Sequence, residues 1–311
     1  MISELFTPVV IIGILAAGIR LATPYLFAAI GETFGQLSGV LNLGVEGIML
    51  LAAFAAFYVV VLTGNLWLGL LAAIIVGALL GLMMAFISVT LKAEQGISGI
   101  GLFLFGLGLS DLLFQKTLGT VQTVAGFSTI RIPILSDLPV VGPILFSQNL
   151  LTYAAFALVP IAWFIINKTT LGLKIISVGQ NPAAADSLGI SVSGIRYLMV
   201  TIGGAFAGIA GASLSIALLN VFQLNLTSGL GFIAVALVYF GAWNPIGVML
   251  GALIFSMVNS LQLWVQTLGI PIPSDFAVMM PYVLTIGALA VATTRSRNKP
   301  DALTKPFTRG E

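Results

Sequence analysis

The sequence predicts an all-α fold, a polytopic transmembrane helix bundle of about nine or ten spans. Of its 311 residues 59% are hydrophobic and only 7% charged, against about 25% charged in an average soluble domain. The mean hydropathy is +1.14, and apolar windows of spanning length recur along the whole chain. At about 20 residues per span, the apolar residues suffice for roughly nine crossings.

In chain order, spans are expected near 8–30, 47–63, 66–91, 96–118, 149–166, 194–220, 225–243, 245–266 and 279–294. The N-terminal residues carry Glu4 and no basic region, so the first apolar run is expected to stay as a span and not to be cleaved as a signal. Two windows read as interrupted helices. One is 23–46, which holds Pro24, Gly31, Gly35, Gly39 and Gly44; the other is 225–243, which opens with Asn225 and Ser228. Irregular backbone at membrane depth survives only beside protein or a water-filled cavity, so these windows are candidate walls of a pathway. A break in the first leaves two counts open: nine spans with the N-terminus outside, or ten with it inside.

Lys92, Lys168, Lys174, Arg196, Arg295, Arg297, Lys299, Lys305 and Arg309 fall on one side of the alternation, with Lys116 and Arg131 on the other. The positive-inside rule makes the first side cytoplasmic. The domain reading is a transmembrane unit over 1–294 and a basic tail over 295–311, cytoplasmic and partly disordered.

Histidine and cysteine are absent, which removes imidazole and thiolate metal sites, cysteine nucleophiles, Ser-His-Asp triads and disulfides. A net charge of +2 is too small to point to nucleic acid. None of the six lysines follows a glycine, so the chain has no phosphate-binding P-loop and is not expected to hydrolyse ATP itself.

Two loops stand out. The outside loop 119–148, punctuated by Pro133, Pro139, Gly142 and Pro143, is either a surface cap or a receiver for a partner. The inside loop 168–193 carries helix signals: Asn181 to cap, Pro182 at the first position, Ala183, Ala184 and Ala185 inside, Gly189 at the end. Such a helix of about seven residues needs packing to persist. From the loop residues alone it is a connector on its own bundle or a contact element.

Two stretches resemble the permease subunits of bacterial ATP-binding-cassette importers, in the superfamily serving simple sugars, nucleosides and branched-chain amino acids. The first is ATPYLFAAIGETFGQLSGVLNLGVEGIMLLAAFAAF at 22–57; the second is VGQNPAAADSLGISV at 178–192. The stretch GLGFIAVALVYFGAWNP at 229–245 fits the same family. Where many sugar permeases carry a G-I-D-L-S-V-G core, this chain reads Val40-Leu41-Asn42-Leu43-Gly44-Val45-Glu46-Gly47, which resembles the nucleoside branch. The resemblance implies that Gly179, Asn181, Pro182, Ala183, Ala184, Ala185, Asp186 and Gly189 belong to a coupling loop seated on a separate ATPase. It also implies ATP and magnesium on that partner and none on this chain, a second permease subunit, an extracytoplasmic substrate-binding lipoprotein, and a place in the bacterial inner membrane. An ion-coupled secondary transporter is the rival reading; a membrane-embedded enzyme is disfavoured by the scattered carboxylates.

Four residues are candidates for the translocation route: Asn42, Glu46, Phe232 and Gln262. Glu46 could receive a polar substrate, brace the broken helix, or complement the helix N-terminus it stands at; Asn42 could line the route or tie up free backbone groups. Arg20, Glu32 and Asp111 lie in or near spans and should face protein or water, with an Arg20–Glu32 pair possible. Trp243 and Trp264 read as interfacial anchors. The glycine pairs 77/81, 204/208 and 247/251 read as helix packing.

Overall fold

The computed structural model describes residues 7–269 and 299–309, together with Met279, Val283, Ile286 and Gly287. Helix α1 (Pro8–Leu37) leads with Pro8 at a position where a missing N–H costs nothing. It is followed by α2 (Val45–Thr63), α3 (Leu66–Ala85) and α4 (Gln95–Thr117). A short ribbon and turn, β1 (Thr129–Arg131), α5 (Val141–Leu145) and β2 (Ser147–Asn149), precede α6 (Leu150–Lys168). Then come α7 (Thr170–Gln180), α8 (Pro182–Ser187), α9 (Val192–Ser213), α10 (Leu230–Phe240) and α11 (Pro245–Thr267). One π-helical turn extends α3 over Phe86–Thr90 and another extends α9 over Leu214–Leu218.

Among the described residues seven helices are long and apolar enough to cross a membrane. Side-chain caps set several starts: Asn65, Asn149, Thr169, Ser191 and Asn244 each accept from a backbone N–H of the helix they precede. The expected span 279–294 and the expected boundary at 294 fall, but for four scattered residues, outside the described part.

The expected break in 23–46 is confined to residues 38–44, because α1 runs unbroken through Pro24, Gly31 and Gly35. From Ala22 to Leu37 every residue is buried, so neighbouring helices hold the segment where propensity alone would release it. Gly31 serves close approach: a Cβ there would stand 3.0 Å from the Gly203 carbonyl of α9. At 1.5 Å per residue α1 is about 45 Å long. Its start packs on the end of α11, with Gly13 against Trp264, and its end packs on α7, with Gly179 against Leu37. The start of α1 therefore lies at the opposite end of the bundle from α8, and among the described residues 8–37 form one helix and not two.

The second interrupted window is present in a different form. Asn225, Ser228 and Gly229 take positive φ, which stops a helix, so irregular chain over 219–229 leads into α10. With eleven residues, α10 extends only about 16 Å and cannot cross alone.

The centre of the bundle is made by α2 and α9, each with 72% of its apolar window buried, against 33% for α3 and 28% for α4. The Gly77/Gly81 pair of α3 meets the Gly204/Gly208 pair of α9 backbone to backbone: a Cβ at Gly81 would stand 2.8 Å from the Val200 carbonyl and 2.9 Å from the Gly204 Cα. This is close-approach packing of the kind that small residues permit in lipid. Gly204→Val should force α3 and α9 apart; the expected result is loss of monodisperse protein after detergent extraction, whereas Gly101→Val, at a position with open space around it, should leave yield unchanged.

The loop 119–148 rests on its own bundle. β1 pairs antiparallel with β2, and the Val124 and Phe127 N–H groups donate to the carbonyls of Asn220 and Ile216. Residues 299–309 depart from the expected partly disordered tail, since Ala302 and Leu303 are buried and the segment is hydrogen-bonded to α7, α8, α9, Gly39 and Lys92.

Candidate functional site

The expected inside-loop helix is α8. The Asn181 Oδ1 accepts from the Ala184 N–H at 3.0 Å, Pro182 opens the helix, and Gly189 follows it at φ +80°. Its two faces differ. Ala185 is buried with Val178 and Val192, with Phe307 packed on that cluster, and Asp186 accepts from Arg309 Nε at 2.9 Å. Ala183, Ala184 and Ser187 point outward, and Leu188 is 81% exposed. Gly179 is required by contact, since a Cβ would run into the Leu37 carbonyl.

A second constellation lies where residues 38–44 join α1 to α2. Glu46 is 1% exposed, and both its oxygens are engaged. Oε1 accepts from Thr227 Oγ1 at 2.6 Å and the Gly229 N–H at 2.7 Å, while Oε2 accepts from the Gly231 N–H at 2.6 Å. Those donors surround the start of α10, whose first N–H groups have no partner within the helix. Glu46 thus complements the N-terminus of α10 as well as standing in the first turn of its own helix. Gly231 has to be glycine here, as a Cβ would stand 2.6 Å from the Glu46 Cα.

Beside it, Glu32 Oε1 accepts from the Asn42 N–H at 2.9 Å and from Gln36 Nε2 at 3.2 Å. Gln36 Oε1 in turn accepts from Trp243 Nε1 at 2.9 Å. Asn42 Oδ1 accepts from the Gly44 N–H at 2.9 Å, an Asx turn that finishes the break. Leu41 N–H donates to Gln95 at the start of α4 at 2.8 Å. These buried polar groups connect α1, α2, α4 and α10.

Several expectations change on this geometry. The Arg20–Glu32 pair does not form: twelve helical residues separate them, about 18 Å along a straight helix, and Arg20 is exposed. Trp243 is 5% exposed, a buried donor to Gln36 and not an interfacial anchor. Of the four route candidates, Glu46 and Phe232 come together at the start of α10, with Phe232 set edge-on against Phe103 of α4 at 5.2 Å, while Asn42 stands in the break before α2, bonded to Glu32 and Gly44. Gln262 is apart, on the half of α11 that packs along the start of α1 through Ser260 and Trp264. A cavity of about 250 Å³ opens between Leu37, Ile166, Asn167, Ile176, Trp243 and Asn244, and none of the four lines it. Asp111 is half-buried on α4, with Oδ1 lacking a partner.

Sequence reading misses Gln36 and Thr227 as members of these networks. Gln36 carries a faint signal, four residues after Glu32 on an otherwise apolar helix. Thr227 carries none, since its partner is 181 positions away.

The family model of the branched-chain amino acid transport system / permease component matches residues 14–289. The chain belongs to that family. Among its relatives is a putative glucose ABC transporter permease protein of Haloferax volcanii, 38% identical and covering 96% of this permease and 98% of the relative. A guanosine ABC transporter permease protein of Bacillus subtilis is 37% identical, covering 96% and 97%. A nucleoside ABC transporter permease protein of Lactococcus lactis is 37% identical, covering 87% and 89%. No solved structure matches the permease. It is a multi-pass membrane protein of a family of transporter permeases, and the ABC class and nucleoside-or-sugar branch indicated by the two motif stretches agree with these relatives.

Proposed function

We propose that this permease is the membrane subunit of an ATP-driven importer of nucleosides, and that α8 is its coupling helix. The observation that carries the substrate reading is similarity over almost the full chain to permeases named for guanosine and for nucleosides. A relative named for glucose is as similar, so a sugar is the second reading; a nucleoside and a sugar share a hydroxylated ring.

In this reading α8 and the tail face the cytoplasm of a bacterial cell and an ATPase subunit, which holds the ATP and magnesium, seats on the outward face of α8. The permease pairs with a second permease subunit and receives substrate from an extracytoplasmic lipoprotein. The rim Ala183, Ala184 and Leu188 supports this, because small and apolar residues projecting into water at one end of a membrane bundle suit a protein partner. ATP-driven movement of the partner displaces α8 and shifts the bundle between two packings of similar free energy. The chain then divides into a transmembrane unit over 1–294 and a basic cytoplasmic tail over 295–311.

The test is uptake in cells carrying the permease with its neighbouring ATPase and receptor genes. Labelled guanosine should accumulate, with unlabelled nucleosides competing and glucose not competing. Uptake should vanish with an ATPase-dead partner. Accumulation of glucose in place of guanosine would decide for the sugar.

A further inference from the structure

The segment 299–309 does more than end the chain. Its Ala302 N–H donates to the Gly179 carbonyl of α7 at 2.9 Å, and its Thr304 N–H donates to the Gly39 carbonyl, in the break between α1 and α2, at 3.2 Å. Phe307 packs on the cluster of Val178, Ala185 and Val192. Arg309 pairs with Asp186, an exposed contact that contributes little by itself.

One side chain fastens this segment to the bundle. Arg196, in the second turn of α9, is 1% exposed. Its Nε donates to the Ser38 carbonyl at 3.1 Å, and its Nη1 donates to the Lys305 carbonyl at 3.0 Å. Its Nη2 lies beside Gly39, where a Cβ would stand 2.8 Å away, and has no partner. A buried guanidinium with main-chain acceptors in place of a carboxylate is a costly arrangement. It fixes the relative position of two backbone segments whatever side chains they carry.

We propose that residues 299–309 are a strap, clamped by Arg196, that carries displacement of α8 to the 38–44 break and so to the Glu32–Asn42 and Glu46–α10 bonds. Arg196 is a positioning residue in this scheme, acting through the strap and not on substrate. The inference rests on the coupling role of α8. Physically it needs an element with two arrangements that both ends bias, and the break between two helices, with Gly39 at φ +96°, is such an element.

The experiment uses the complete importer. A chain ending at residue 298, Ala302→Pro (which removes the donor to Gly179) and Arg196→Lys are each compared with the unmodified permease for ATPase co-purification, ATP turnover and nucleoside uptake. The expected result is that the ATPase still co-purifies and hydrolyses ATP while uptake falls about ten-fold, a typical coupling magnitude; that split is one a general loss of folding does not produce. The chain has no cysteine, so Gln180→Cys with Lys299→Cys, at two exposed neighbouring positions, can be joined by a short bis-maleimide. Because the strap and the end of α7 move together, joining them should leave uptake intact.

Unchanged uptake in all three variants overturns the proposal. So does loss of the ATPase from the variants, which makes the segment a docking element, and so does a block on uptake by the cross-link, which means that the two must separate. If the truncated chain does not accumulate, the two point variants decide. Absence of the ATPase from the unmodified complex would overturn the coupling role of α8, and the strap with it.

Discussion

Glu46→Ala should be the most damaging single substitution in the membrane part of the permease. It removes the acceptor for Thr227, Gly229 and Gly231 at once; Thr227 and Gly231 are buried and Gly229 is half-buried. A hydrogen bond to a charged group contributes about 1.5–3 kcal/mol, and a buried donor left alone costs a comparable amount. The losses are not additive, so a destabilisation of about 3 kcal/mol or more is expected. In purified protein this reads as a lower melting temperature, with uptake lost even at temperatures where the fold survives. Glu46→Gln, which keeps one good acceptor, should fall between, and Thr227→Val, which removes one bond of three, should cost least. A melting temperature unchanged in Glu46→Ala would mean that the start of α10 is held by something else.

Ala184→Glu should abolish uptake by a different route. Ala184 points outward, and its backbone N–H is already satisfied by Asn181, so glutamate fits without disturbing the chain and is itself a good helix former. Buried against a partner without a counter-charge, it costs about 3 kcal/mol or more, roughly a hundred-fold in affinity. The protein should insert and melt normally while the ATPase no longer co-purifies. Ala185→Glu is the contrast: Ala185 is 2% exposed within the permease's own cluster, so that variant should lower the melting temperature. Normal transport and normal ATPase recovery in Ala184→Glu would remove α8 from the coupling role.

Most of this architecture could be read from the chain because lipid imposes a simple rule, that backbone polar groups must be satisfied within helices. The short helix α8 was legible down to its cap because Asn181, Pro182 and Gly189 act locally. The reading failed where tertiary contact overrides local preference. Pro24 and Gly31 look like breaks, yet α1 continues because its whole second half is enclosed. Trp243 has the composition of an interface residue, but Gln36 gives its indole N–H a buried acceptor. Glu46 was recognised as poised between bracing and pathway; the helix whose start it complements lies over 180 positions away, a distance no periodicity can signal. The tail reads as polar and basic, which conceals the buried residues Pro300, Ala302 and Leu303 that seat it.

The glycine seam between α3 and α9 carries a consequence for how such a permease can be re-engineered. Two helices that touch through main chain have no rotamers with which to absorb sliding, so the pair behaves as a chassis. Selection for altered cargo should accordingly collect changes around positions such as Phe232, where side chains do the packing, and leave 77, 81, 204 and 208 as glycine in every survivor.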